Sequence, residues 1–157
     1  MRKQIIEQAF SGEATRTGEW INTQELARVE LSSEAQGYPI EAALSPGAGS
    51  GWRAGSPGPQ VIRLYFENHL TLSCINLLFE ELELARTQEF VLSWCPEEEH
   101  VYKQIVRQQY TFSPPGTTRQ VESYQVDLRG VKVLELKIVP DMANADAYAS
   151  LLHLRLR

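Results

Sequence analysis

The chain has 157 residues, 43% of them hydrophobic, with 15 Lys and Arg against 20 Asp and Glu and a formal net charge of −5. That length buries one sizeable core and is too short for two ordinary domains, and the negative balance leaves no basic field to hold a phosphate backbone, so nucleic acid is not an expected partner. The 2 cysteines exclude a disulfide framework, no apolar run reaches the roughly 20 residues that span a bilayer, and residues 1–8 lack the apolar centre of a signal peptide, so a cytoplasmic setting is expected.

Residues 1–26 are mixed and polar, with Ile5, Ile6, Phe10, Trp20 and Ile21 as the only anchors for a core. They read as a leader packed on or flanking a domain formed by residues 27–157. From Ser45 to Pro59 the run SPGAGSGWRAGSPGP favours turns over any regular element and reads as a long loop interrupted by Trp52.

Beyond that loop the hydrophobic period is two, the spacing of a strand with one apolar face. Ile62, Leu64 and Phe66 form one set, Ile75, Leu77 and Phe79 a second, and Phe90, Leu92 and Trp94 a third. Tyr124, Val126 and Leu128, then Leu134, Leu136 and Ile138, then Leu152, Leu154 and Leu156 repeat the pattern. Breaks fall at Asn68-His69, Pro96-Glu97, Ser113-Pro114-Pro115-Gly116, Arg129-Gly130 and Pro140-Asp141, which is the spacing of antiparallel strands joined by turns. Only residues 78–84 could make a turn or two of helix, and no strand–helix–strand alternation supports a parallel sheet. The expected fold is all-β, an antiparallel sandwich or jelly roll.

Candidate chemistry is sparse. Glycines 47, 49, 51 and 55 invite a phosphate-loop reading, but such a loop needs a preceding strand, a following helix and usually a Lys, whereas Gly51 is followed by Trp52-Arg53. The three histidines (69, 100 and 153) and the cysteines Cys74 and Cys95 stand at no ligand spacing, so no metal site is expected and the cysteines read as buried or half-buried free thiols. Glu97-Glu98-Glu99 and Glu80-Glu81 with Glu83 read as solvated turns, and nothing singles out a catalytic pair, so no catalytic residue is assigned. Tyr38, Trp52, Arg53, Arg86 and Tyr110 fall near predicted loop ends, where a ring beside a guanidinium can hold a sugar or a peptide edge. For Trp52 the alternative is a plug at the end of the sandwich.

The order of these residues resembles the discoidin domain, the coagulation-factor type C domain, and its galactose-binding-like relatives. Val29-Glu30-Leu31-Ser32-Ser33-Glu34, Gly37-Tyr38-Pro39-Ile40-Glu41-Ala42-Ala43-Leu44 and Gly51-Trp52-Arg53-Ala54 resemble its opening. Gln60-Val61-Ile62-Arg63-Leu64-Tyr65-Phe66 and the run from Arg86 to Trp94 resemble its next strands, and Ala149-Ser150-Leu151-Leu152-His153-Leu154-Arg155 resembles its closing strand. The resemblance implies a jelly roll of about eight strands whose loops at one end bind glycans, lipid head groups or protein partners without catalysis. It implies no cofactor except a structural calcium supported in relatives by a Glu, at a place where this chain has His153.

The leading expectation is a non-enzymatic module that holds a carbohydrate or similar polar ligand through Tyr38, Trp52, Arg53 and Arg86. The alternative is an intracellular scaffold domain that meets a protein partner through a sheet face carrying Val91, Val131 and Val133.

Overall fold

The computed structural model describes residues 20–45, 49–97 and 101–157. Among these residues the chain forms a short helix α1 (Thr23–Leu26), strand β1 (Ala27–Leu31), a short helix α2 (Ile40–Leu44), and strands β2 (Trp52–Arg53), β3 (Gln60–Glu80), β4 (Arg86–Cys95), β5 (Lys103–Phe112), β6 (Arg119–Val139), β7 (Ser150–Leu151) and β8 (His153–Leu156). Every strand pairing is antiparallel. The expected sandwich of about eight strands is therefore present, and its alternating residues Ile62, Leu64, Phe66, Ile75, Leu77, Phe79, Phe90, Leu92, Leu134, Leu136 and Ile138 are all buried.

The strand count is reached differently from the sequence reading. Two pairs of predicted short strands are each one continuous strand of 21 residues, β3 and β6. The break signals Asn68-His69 and Arg129-Gly130 mark a shared bend, where Leu70 faces Val131 and the register shifts repeatedly between Tyr65 and Cys74. Extra residues in a ladder bend a strand without ending it, and Gly130, at φ 74°, takes a conformation that other residues rarely adopt.

The bend folds the β3–β6 ribbon into two layers. In one, Gln60 to Phe66 of β3 pairs with β1 and with the second half of β6, which carries β4 and then β5 at the edge. In the other, the second half of β3 lies between β8 and the first half of β6. Phe79 of the smaller layer meets Phe90 of the larger with ring centroids 5.3 Å apart, so the two inner faces share one core.

Several expectations change. Strand β5 has no apolar alternation, because as an edge strand it buries only Phe112 fully. Residues 78–84 form no helix: β3 runs through Glu80, and the chain then turns around Glu81, whose carboxylate accepts the backbone N–H groups of Glu83 and Leu84 at 3.1 Å each. The scaffold reading loses its exposed valines. Val131 lies in the bend within the core, Val133 has no exposed surface beside its register partners Tyr65 and Cys95, and Val91 is only half-buried. Burial, and then the neighbouring Tyr65 and Glu135, push the Tyr102 phenol up to about 12. Both cysteines are free and buried, as the thiol reading expected.

Of the leader, residues 1–19, with Ile5, Ile6 and Phe10, lie outside the described residues. Ile21 donates its N–H to the Leu156 carbonyl at 2.7 Å, and the Arg157 guanidinium covers the Trp20 ring at 4.3 Å.

The Gly-rich stretch from Ser45 to Pro59 is pinned by β2. Trp52 and Arg53 pair with Leu151 and Ser150 of β7, and the Trp52 indole N–H donates to the Ser33 carbonyl at 3.0 Å. Gly51 (φ 74°) lies so close to β7 that a Cβ there would stand 2.5 Å from the Leu151 oxygen, and one on Gly55 would stand 2.8 Å from the Glu34 oxygen. These glycines admit neighbouring backbone.

Arg86 closes the turn between β3 and β4 from inside. It is 3% exposed; Nε donates to Glu81 at 2.7 Å, and Nη1 donates to the Pro140 carbonyl at 2.7 Å and to Gln88 at 3.1 Å. Gln88 continues the chain of bonds to Gln120 of the other layer at 3.0 Å. Burial alone would raise the Glu81 carboxyl, but the bonds from Arg86 and from the two backbone amides outweigh it and hold the group below its usual range.

Two tests follow from these contacts. Gly51→Ala should lower unfolding stability by roughly 2–4 kcal/mol, through strain and displaced backbone, whereas Gly49→Ala, with 3.7 Å to the nearest atom, should be near neutral; equal denaturation midpoints for the two variants would contradict the close approach. Glu81 binds its proton more weakly folded than unfolded, so its stabilisation is present above the usual carboxylate range and is lost on acidification. Glu81→Gln should therefore be less stable than the parent at neutral pH and lose less stability between about pH 5 and 3, measured by urea unfolding across that range.

Candidate functional site

The structure separates the four residues singled out in the sequence. Trp52 is 0% exposed and part of the core cluster, so it plugs the end of the sandwich and offers no ring face to a ligand. Arg86 is likewise interior, with its guanidinium centred 4.8 Å from the Phe112 ring, and supports the turn without reaching solvent. Both side chains are turned away from solvent, which runs against the expectation that they contact a ligand directly: the Trp52 ring is held in the core, and the Arg86 guanidinium is held inside by Nε and Nη1 while its buried Nη2 has no hydrogen-bond partner. Tyr110 is half-buried against Phe112, with centroids 5.1 Å apart.

Tyr38 and Arg53 do come together. The Arg53 guanidinium lies over the Tyr38 ring at 4.3 Å, and the two backbones are tied by the Arg53 N–H donating to the Tyr38 carbonyl at 3.3 Å and the Ala35 N–H donating to the Arg53 carbonyl at 2.8 Å. Arg53 is exposed, so β2 carries an inward Trp and an outward Arg on successive residues, as strand geometry requires.

Arg53 also stands on the wall of a concavity of about 330 Å³ at this end of the sandwich. Its walls are Ser50 to Arg53 around β2, residues 80–84 where β3 turns toward β4, and residues 146–152 leading into and through β7. Beneath it Ala147, Ala149 and Leu151 are buried with Trp52, which gives the hollow a packed floor. Its rim carries three exposed apolar side chains, Tyr148 (53% exposed), Leu82 and Leu84. The volume sits at the low end of the roughly 300–1,000 Å³ found for small-molecule sites.

Charge around the hollow is lopsided. Among the described residues four carboxylates line it, Glu80, Glu81, Glu83 and Asp146, against the single cation Arg53. Glu80 is bridged to Arg119 at 3.0 Å and Glu81 to Arg86 at 2.7 Å, while Glu83 and Asp146 are exposed.

Sequence reasoning missed this third wall. Residues 141–149 read as turn and small residues, and the available signal was Tyr148, a lone aromatic in a stretch of Ala, Asn and Asp. What joins it to Arg53 is the β2–β7 pairing, which spans about a hundred residues of chain.

Among the described residues no group of three or more His, Cys, Asp or Glu is assembled to hold a metal ion. At the place where the resemblance puts a calcium-supporting Glu, the His153 ring bonds Asn76 at 2.9 Å. Burial and then the charges of Arg155 and Arg119 push the imidazole pKa down.

No protein-family model matches the chain, and no curated protein matches it either. Solved structures do. The family 32 carbohydrate-binding module of NanJ from Clostridium perfringens, in complex with galactose, superposes with a TM-score of 0.62 at 13% identity, covering 87% of this chain and 96% of that one. The family 32 module of AlyQ, in complex with 4,5-unsaturated mannuronic acid, gives 0.60 at 16% identity over 84% of this chain and 95% of that one. A Ruminococcus gnavus GH29 fucosidase in complex with fucose gives 0.66 at 8% identity over 87% of this chain, which spans only 26% of the enzyme's length. The chain therefore has the discoidin-type, galactose-binding-like β-sandwich fold that its residue order resembles.

Proposed function

We propose that the protein is a non-enzymatic carbohydrate-binding module that takes a sugar in the hollow between β2, the turn after β3 and the segment entering β7. The observation that carries this reading is the exposed Tyr148 ring on the rim of a preformed hollow lined by hydrogen-bonding groups. A sugar ring has an apolar face and a polar edge. Tyr148, Leu82 and Leu84 suit the first, and Arg53, Ser50, Glu83 and Asp146 suit the second. The fold adds support, since its structural neighbours include modules crystallised with sugars.

A hydrolytic role has less support. A glycosidase acid is kept protonated by an apolar pocket, whereas Glu81 is pushed in the opposite direction and Glu83 and Asp146 are exposed. The walls are tied to the core through Trp52, Ala149 and Leu151, so binding orders few residues and its entropic cost is small.

The test is a glycan array followed by ligand-observed NMR on the best sugar. Tyr148→Ala should weaken binding roughly tenfold, because stacking on an exposed ring is worth about 1–2 kcal/mol, with an unchanged melting temperature. Arg53→Ala should weaken it by a smaller factor. Absence of binding to every sugar tested, or binding indifferent to Tyr148→Ala in a folded protein, would overturn the proposal.

A further inference from the structure

Resting on that carbohydrate reading, we infer that the hollow selects sugars by charge, preferring units that bear a free amine and refusing those that bear a carboxylate. The site is the hollow itself, and the argument is the electrostatics of its walls. Among the described residues five charged side chains line it, of which Arg53 is the only cation, its guanidinium stacked on Tyr38 at 4.3 Å. The charge of Glu80 is met from behind by Arg119 and that of Glu81 by the buried Arg86. Neither of those arginines lines the hollow, so neither presents a donor to a ligand.

That leaves Glu83 and Asp146, on two separate segments of the wall, with exposed carboxylates. Glu83 rides on a turn whose backbone is fixed by Glu81, and Asp146 on a turn whose N–H donates to the Asn144 side chain at 2.9 Å, so both backbones are held in place. A sugar carboxylate entering the hollow meets these two unbridged like charges against the one cation Arg53. A sugar ammonium meets two acceptors of opposite charge, and charge-assisted bonds are the stronger kind. A neutral sugar stacks on Tyr148 with neither gain nor penalty. The charge preference thus differs from what an acidic ligand, such as the unsaturated mannuronic acid bound to AlyQ, would require.

The experiment compares one oligosaccharide backbone in two forms, glucosamine oligomers and their N-acetylated counterparts, together with uronic acid oligomers, by titration calorimetry at about pH 6, where a sugar amine is protonated. At low salt the amine form should bind about fivefold more tightly than the N-acetylated form, and the uronate at least about fivefold more weakly, as expected for rim charges. Both differences should shrink as salt is raised. Glu83→Gln with Asp146→Asn should erase the discrimination, so that the amine, N-acetylated and uronate forms bind with equal affinity. Glu67→Gln with Asp127→Asn, which removes the same charge from the bend of β3 and the facing part of β6, should leave the discrimination intact and so separates the local effect from the net charge of −5. Uronate binding equal to the neutral form, or discrimination that survives the Glu83 and Asp146 double variant, would overturn the inference while the carbohydrate reading stands. Failure of every form to bind would overturn both.

Discussion

The approach of β2 to β7 is the constraint on which this end of the molecule depends. Two residues on each side pair, Trp52 with Leu151 and Arg53 with Ser150, and the contact is close enough that position 51 tolerates no side chain. The pairing draws a Gly- and Pro-rich stretch onto the end of the sandwich, drives the Trp52 ring into the core and turns Arg53 outward. Without it the segment carrying Tyr148 and the strand carrying Arg53 would be separate loops.

A second interior device holds the turn after β3. Arg86 reaches from the start of β4 to the turn at Glu81, to the Pro140 carbonyl after β6 and, through Gln88 and Gln120, to the other layer. A buried guanidinium costs much to desolvate, and its bonds to a carboxylate, a carbonyl and an amide offset part of that cost, Nη2 being left without a partner. The residues facing the hollow are ordinary surface side chains. The residues that place them are interior and fixed.

This division explains how much was legible in the sequence. Alternation at Ile62, Leu64 and Phe66, and at Leu134, Leu136 and Ile138, reports an apolar face directly, so the all-β sandwich could be read from period alone. Period does not report continuity across a bend, which is why β3 and β6 each read as two strands. Nor does it show an edge strand such as β5, whose Arg107, Gln108 and Gln109 are free to face solvent. Trp52 and Arg86 were recognisable as special residues, but residue type does not say whether a ring or a guanidinium points in or out; the Ser33 carbonyl and the Glu81 carboxylate decide that. Of the four candidate site residues, Tyr38 and Arg53 lie together at the surface. Tyr148 and Asp146 gave little local signal because they join the wall only through pairing with a distant strand.

Trp20 and Ile21 meet Leu156 and Arg157, so the two ends of the described chain are held against each other. The described chain comes in and goes out at one spot, and β8 runs from there to Leu152 on the wall of the hollow. At about 3.3 Å per residue, that strand sets this corner and the wall of the hollow roughly 13 Å apart.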